Sequence, residues 1–444
     1  MFPRNRNRNR TYADAPARNG GPPRSRHYPW LVFALSFCLL LSDYMSRQVL
    51  NALFPLLKAE WLLSDASLGA LGGVVALMVG VLTVPLSMLA DRWGHVRSLT
   101  LMALLWSLAT LGCALANSFG AMFVARLCVG VGEAAYGSVG IALVLSVFPR
   151  DMRSTLSAAF IAGGAFGSVL GMALGGVISA HFGWRFAFAG MALFGLALVV
   201  LYRMVVTERR LQQQRVEVEP SHPAAAPGCA MSIRALPAAL FSSRSILCAY
   251  VGSALQLLVM GSLLAWMPSY LGRYYGMATA PAGLASAGFV LAGGAGMIMC
   301  GVLTDRVARR TPALKWRMAM LYSVGCFALL FTGFHMAPGA AQLALMAGGM
   351  LLAGGSAGPA SAAVANLTDP SIHATAFATL TLANNLIGLA PGPYLAGVLA
   401  DHIGLSLALQ WLTLGALLAA LCFVIGRRTY SADLLRLAQR GRYA

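Results

Sequence analysis

The sequence predicts an all-α membrane protein in which twelve transmembrane helices form two six-helix bundles related by an internal pseudo-repeat. Composition is the first reason. Of 444 residues 58% are hydrophobic and only 10% charged, with a mean hydropathy of +0.72, where a water-soluble domain carries about 25% charged residues. The second is segmentation: the apolar residues fall into twelve windows of roughly 20 or more, the length that crosses a hydrocarbon core as a helix. The third is charge. Of the 32 Lys and Arg, 27 lie in the two tails and the even-numbered loops; the exceptions are Lys58, Arg185 and Arg273 in the other loops and Arg47 and Arg126 inside spans. This bias predicts cytoplasmic termini.

Taken in order, residues 1–29 hold seven Arg in a Gly- and Pro-rich setting. They have too little apolar surface to fold and are expected to be a disordered basic cytoplasmic tail. Span 1, Trp30 to Leu56, is too long and too polar at its centre for a cleavable signal peptide and is expected to stay as an anchor. Spans 2 and 3, Leu68 to Ala90 and Ser98 to Asn117, flank the short basic loop D-R-W-G-H-V-R. Spans 4, 5 and 6 are expected over Phe119 to Phe148, Leu156 to Ala180 and Trp184 to Val206, completing an N-terminal bundle at 30–206. A polar stretch at 207–245 contains E-R-R-L-Q-Q-Q-R-V-E-V-E-P and is expected to be a cytoplasmic linker. Spans 7 to 12 follow at Ile246 to Tyr270, Thr279 to Thr304, Arg317 to Met336, Ala340 to Leu367, Ala374 to Ala400 and Leu405 to Ile425. They make the C-terminal bundle, 246–426, before a cytoplasmic tail at 427–444. Pro391 and Pro393 remove backbone donors within span 11, which is expected to bend or open there.

Two halves of six spans predict a repeat, and the sequence contains one. The loop after span 2, S-M-L-A-D-R-W-G-H-V-R, parallels that after span 8, G-V-L-T-D-R-V-A-R-R, which puts Asp91 and Asp305 in equivalent places. In spans 5 and 11, Gly167, Gly171, Gly176, His181 and Gly183 match Gly388, Gly392, Gly397, His402 and Gly404 at a constant offset.

Several function classes are excluded. The +18 formal charge is spread among short loops rather than gathered on a folded face with aromatic residues, so nucleic acid is not an expected partner. The eight Cys stand singly, seven of them in apolar segments, and the seven His form no H-E-x-x-H. No metal or cofactor is expected. There is no G-x-x-x-x-G-K-[ST] loop for ATP, and enzymatic activity is not expected.

The chemistry concentrates in span 4, at A-R-L-C-V-G-V-G-E-A-A-Y-G-S. Arg126 and Glu133 are about two helical turns apart, so both leave one face of the helix. Gly130 and Gly132 between them allow a close neighbour. Only Asp43 and Glu133, of 14 acids, fall near mid-membrane. Charged groups at that depth are costly and face a partner or a water-filled cavity. Arg47 lies four residues after Asp43, on the same face. Burial favours the neutral form of a carboxylate and a nearby guanidinium the charged form, so Asp43, Arg126 and Glu133 are expected to load and release protons as one system. A permanent structural bridge is the alternative reading of the same residues. Further cavity candidates are Tyr136, Gln256, Asn384, Asn385 and Tyr394, with Trp266 and Tyr270 equally readable as an interfacial belt. The charged N-terminal half and the amide-lined C-terminal half suit an amphipathic substrate with its polar head near Arg126.

These motifs resemble the major facilitator superfamily over about Trp30 to Ile425. The resemblance is carried by the loop at Asp91, Arg92 and Gly94, by its second copy at Gly301, Asp305, Arg306, Arg309 and Arg310, and by R-x-x-x-G at Arg126 and Gly130. V-G-V-G-E-A-A-Y at Val129 to Tyr136, Asp43, and G-L-A-P-G-P-Y-L-A-G-V-L-A-D at Gly388 to Asp401 are similar to the spinster-like subgroup. The chain departs from these patterns at Ser87, His95 and Val96 in the first loop motif, and at Tyr44, where the subgroup often has Arg. The resemblance implies proton-coupled secondary transport of a lysolipid-like, amphipathic or anionic small molecule by alternating access, with Asp43, Arg126 and Glu133 at the coupling site. It also implies a conformational latch at Asp91, Arg92, Gly94, Asp305 and Arg306. An uptake permease for a small organic anion, a drug exporter and a non-transporting membrane sensor are the alternatives. The expected partners are the substrate, protons and membrane lipids. The protein is expected to be a monomer in a bacterial inner membrane.

Overall fold

A computed structural model of the chain describes residues 27–149, 152–214, 240–241, 243–309, 311, 313–368 and 372–443. Most of the expected N-terminal tail and linker, and Arg310, lie outside them. The described residues form helices and no strands. In the N-terminal half these are α1 (Tyr28–Trp61), α2 (Asp65–Trp93), α3 (His95–Leu115), α4 (Phe119–Glu133), α5 (Tyr136–Val147), α6 (Arg153–Phe182) and α7 (Trp184–Val205). A short α8 (Glu208–Gln214) follows. The C-terminal half comprises α9 (Arg244–Tyr275), α10 (Thr279–Val307), α11 (Leu314–His335), α12 (Ala340–Ala353), α13 (Ala357–Leu367), α14 (His373–Ala383), α15 (Pro391–Ile403), α16 (Leu405–Leu412) and α17 (Leu414–Tyr443).

Eleven helical segments among the described residues are long and apolar enough to cross a membrane. The remaining expected span, span 11, is divided into α14, a π-helical segment at Asn384–Leu389, and α15. Pro391 opens α15, at a position where its missing N–H costs nothing. The break expected from the prolines is therefore present, one turn earlier than the rings themselves.

The repeat extends to irregularities that the residue pattern alone does not display. Span 4 is interrupted between α4 and α5, and span 10 at the equivalent height by a 3₁₀ turn at Gly354–Ser356. Gly183 and Gly404, the last pair of the matched glycines, both sit at a helix end with φ of +91° and +82°. A side chain there would be strained, so the tight turns into α7 and α16 require glycine.

The face that carries Tyr28 and the end of α17 is the one the charge bias assigns to the cytoplasm; it is called the inner face below. At the outer face the two halves meet without room for side chains. A Cβ on Gly73 of α2 would lie 2.2 Å from the Ala390 carbonyl oxygen, and one on Gly69 2.2 Å from that of Pro393. Gly397 stands equally close to the Asp65 carbonyl, and Gly176 of α6 packs on Gly283 of α10. Trp266 bridges the halves as well, packing its ring at a tilt on Phe54 with centroids 5.1 Å apart and donating to the Pro393 carbonyl at 2.9 Å.

Helix ends are capped where the sequence offers hydroxyls. Ser64, Ser118 and Ser243 accept from Ser67, Ala121 and Ile246 N–H groups, satisfying donors that a helix leaves free. The C-terminal tail is no separate segment: α17 continues through it as far as Tyr443. Its Asp433 accepts from Ser243 Oγ at 2.7 Å, Ser245 Oγ at 2.7 Å and Ser245 N at 3.1 Å, pinning the tail to the start of α9.

Candidate functional site

The break after α4 is what assembles the charged cluster. Helix α4 ends at Glu133, and Ala135 leaves helical geometry at φ −115°, ψ 1°. The Ala134 carbonyl freed there accepts from Thr83 Oγ1 of α2 at 2.7 Å. The expected close approach at Gly130 and Gly132 is real. A Cβ on Gly130 would lie 2.7 Å from Met78 Cβ, and one on Gly132 2.6 Å from the Trp106 nitrogen. Packing α2 and α3 this tightly against α4 turns Arg126 and Glu133 toward α1.

Asp43, Arg126 and Glu133 are all buried, at 6%, 1% and 6% exposure. Asp43 and Glu133 face one another across α1 and α4. The direct partner of Glu133 is Arg47, with Nε 3.4 Å from Oε2. Arg126, by contrast, is committed to the backbone. Its Nε donates to the Leu71 carbonyl at 3.3 Å, Nη1 to that of Ser46 at 3.1 Å and Nη2 to that of Arg47 at 3.3 Å. One guanidinium thus ties α4 to α1 and α2 with charge-assisted bonds. Arg47 is the more open base, its side chain 21% exposed. Among the described residues Arg47 Nη2, Glu133 Oε1 and Asp43 Oδ1 are buried without a hydrogen-bond partner. Polar atoms in that condition are rare in folded proteins and mark a place where a ligand, a proton or water completes the pairing. With both acids ionised the two guanidinium groups balance them; protonating either acid leaves a net positive charge.

The other expected cavity residues divide. Tyr136 is fully buried and donates to the Ser36 carbonyl at 2.9 Å, so it belongs to the core of the N-terminal half. Gln256 also departs from the expectation. It is 1% exposed, with neither amide atom paired, on the face of α9 turned toward Cys326 of α11 rather than at a cavity wall. Asn384 and Asn385 lie in the π segment of span 11, where Asn385 Nδ2 donates to the Thr381 carbonyl at 2.9 Å. Asn385 Cβ would stand 2.8 Å from a Cβ on Gly80 of α2, so this amide sits where the halves meet. Tyr394 is exposed. Trp266 and Tyr270 are neither belt nor wall. Trp266 is spent on the contacts above, and Tyr270 accepts from Gln342 Nε2 at 2.9 Å.

On the inner face the expected latch residues stand apart. The Asp91 side chain is 74% exposed, 3.7 Å from His95 Nε2, and that of Asp305 is 76% exposed, 3.5 Å from Lys315 Nζ. Arg92 and Arg306 are exposed. Gly94, at φ +91°, makes the turn between α2 and α3, which Glu208 closes by accepting from Val96 N at 3.2 Å.

The outer face holds a polar network that the sequence reading missed. Asp65 receives Arg273 Nη1 at 2.7 Å, Arg273 Nη2 at 2.6 Å and Lys58 Nζ at 2.5 Å. Asp401 accepts from the Asp65 and Ala66 N–H groups at 2.8 and 2.9 Å, capping α2 from the opposite half. Arg273 and Asp401 belong to the C-terminal half, so these bonds cross between bundles. The available signal was an acid at each outer span end, where topology requires none.

Comparison with known proteins agrees with this architecture. A sequence model described as Major Facilitator Superfamily matches residues 36–390. The MFS-type transporter EfpA of Mycobacterium tuberculosis is 30% identical over 258 residues, 54% of this chain and 46% of its own length; the chain thus matches about half of that relative. A gallate transporter of Pseudomonas putida is 27% identical over 327 residues, 69% of this chain and 71% of its own. Protein spinster of Drosophila melanogaster is 25% identical over 421 residues, 88% of this chain and 64% of its own. Among solved structures, a bacterial homologue of human spinster in an inward-facing, unoccupied conformation superimposes with a TM-score of 0.80 at 18% identity. It covers 92% of this chain and 99% of that one.

Proposed function

Because the chain belongs to the major facilitator superfamily it is a multi-pass membrane transporter, and we propose that it moves an amphipathic anion, lysolipid-like in form, by proton-coupled alternating access. The observation that carries this reading is the Arg47–Glu133 pair, joined through one contact at 3.4 Å while Arg47 Nη2 and Glu133 Oε1 are unpartnered. A substrate carboxylate or phosphate competes with Glu133 for Arg47. Protonating Glu133, with Asp43 beside it, removes the competitor and leaves the net positive charge that attracts the anion. Proton and anion then bind together, and each strengthens the other. In this scheme Arg126 holds α4 in register, and Arg47 takes the polar head that the sequence reading placed near Arg126. The charge bias supports cytoplasmic termini. The latch residues close the inner face when the cavity opens outward.

A second substrate class has its own support. The similarity to a gallate transporter over 69% of the chain favours a small aromatic acid at the same Arg47. Proteoliposome flux of a lysophospholipid and of gallate, driven by a pH gradient, separates the two. Glu133→Gln is expected to abolish the gradient dependence while exchange persists, and Arg47→Ala to abolish transport of the anion. Flux indifferent to pH in the wild type, or a Glu133→Gln protein that behaves as wild type, would end the coupling scheme.

A further inference from the structure

A line of buried hydroxyls runs from the acid pair to the inner face through the middle of the N-terminal bundle, away from the cavity between the halves. Tyr28, Ser36 and Asp43 are spaced along α1 by about two turns each, and cover roughly 22 Å of its length. Their neighbours come from α3, α5 and α7. Beside Asp43, Ser42 of α1 and Ser107 of α3 converge on Gly195 of α7, where an added Cβ would meet Ser107 Oγ at 2.4 Å and Ser42 Oγ at 3.0 Å. Glycine at this position lets both hydroxyls pack directly against the α7 backbone. One step inward, Tyr136 donates to the Ser36 carbonyl, which leaves the Ser36 hydroxyl free to turn toward Tyr202 of α7. Tyr202 lies in the neighbourhood of Tyr28 and Glu208, and Tyr28 beside Thr207 with Glu208 and Arg210 nearby at the inner surface.

Tyr202 lies beside Ser36 and Tyr28 beside the Thr207 backbone, but without good hydrogen-bond geometry in either case. Tyr28 Oη, Ser36 Oγ, Ser42 Oγ, Ser107 Oγ and Tyr202 Oη are all buried with no hydrogen-bond partner among the described residues, and their residues are between 0% and 9% exposed. These five lie on α1, α3 and α7 between the inner face and an unpaired carboxyl oxygen of Asp43. Buried polar groups in this state are satisfied by internal water.

We propose that these hydroxyls, bridged by internal water, form a proton path that joins Asp43 to the inner face through the core of the N-terminal bundle, separate from the substrate route. Each hydroxyl receives one proton and passes one on, so no charge rests on it, and the proton ends on a carboxylate oxygen of Asp43. The charged or titratable groups facing the path are Glu133 and Arg47 at Asp43, Cys38 near Tyr136, and Glu208 and Arg210 at the mouth. A separate path has a functional consequence. An amphipathic substrate that fills the cavity does not block the acid pair from exchanging protons with the inner side.

The inference rests on the proton-coupling reading, and the experiment separates the two. In the purified full-length protein a pH jump is followed by time-resolved infrared spectroscopy, reading the carboxylic C=O band that disappears in Asp43→Asn. Tyr202→Phe and Ser36→Ala, made separately, keep the packing and remove only a hydroxyl. Either is expected to slow the appearance of the band by roughly tenfold, with final amplitude and melting temperature as in the wild type. Wild-type rates in both variants would overturn the path and send the proton through the cavity. A reduced amplitude at an unchanged rate would also overturn it, because it would mean altered packing around the acids. No protonation band in the wild type would defeat the coupling reading itself, and the path with it.

Discussion

Arg126 and Arg47 show how differently two intramembrane guanidinium groups are used. Arg126 makes three bonds to carbonyls on two other helices, so removing it leaves buried acceptors and breaks the link between α4, α1 and α2. A lysine ammonium cannot reproduce that fork. Arg126→Lys is expected to lower stability by about 2 kcal/mol, read as a drop in the unfolding midpoint of the detergent-solubilised protein. Arg47→Ala, which removes one acid contact, is expected to change it by less, because the buried Glu133 can take up a proton once its partner is gone. Equal losses would mean that Arg47 is structural too. The sequence marks both residues as exceptional because charge at that depth is expensive. It does not say which of them meets Glu133. The seven-residue spacing of Arg126 and Glu133 puts them on one face but too far apart to pair. The partner comes instead from α1, and only the packing of α1 against α4 decides it.

At the scale of the element, the legible features are those with a local cause. Apolar windows give the spans, and the prolines of span 11 give its break. The break in span 4 carries no proline, and the 3₁₀ turn of span 10 is followed three residues on by Pro359. The two become visible as a repeated device only when both halves are seen at the same height. The glycines of α2 are intermediate: the sequence shows them, but not that Gly69 and Gly73 lie against carbonyls of the opposite half. Gly73 supplies a test. A Cβ there would meet Ala390 O at 2.2 Å, and backbone on both sides leaves no flexible group to yield. Gly73→Ala is expected to force the outer ends of α2 and α15 apart and so favour the outward-open form. Spin labels at Leu62 and His402, both exposed at the outer face, read the change. Their mean separation is expected to increase, and an unchanged distance distribution would mean that the contact relaxes within the closed form.

Across the whole molecule, two sets of charges on opposite faces oppose each other in the transport cycle. At the outer face Asp65 is buried under Arg273 and Lys58, and Asp401 caps α2 across the bundle boundary. At the inner face Asp91 and Asp305 are exposed, and among the described residues their ion-pair contacts are with His95 and Lys315 on nearby elements of their own halves. The outer set is made in the form described here and must break when the cavity opens outward; under the proposed cycle the inner set gains its latching contacts only in that other form. Mutations in the two sets are therefore expected to act with opposite sign. Arg273→Ala or Asp401→Asn removes bonds unique to the outer-closed state. A loss of about 2 kcal/mol shifts the population roughly thirtyfold toward outward-open. Asp91→Asn and Asp305→Asn are expected to shift it the other way, and combining Arg273→Ala with Asp91→Asn to restore a near-wild-type balance, since the sites are remote and their effects add. The same label pair at Leu62 and His402 measures all of these. If Arg273→Ala leaves the distribution unchanged, the outer network is a surface ion pair without influence on gating. If Asp91→Asn moves it in the same direction as Arg273→Ala, the inner aspartates do not act as a latch for the outward-open state.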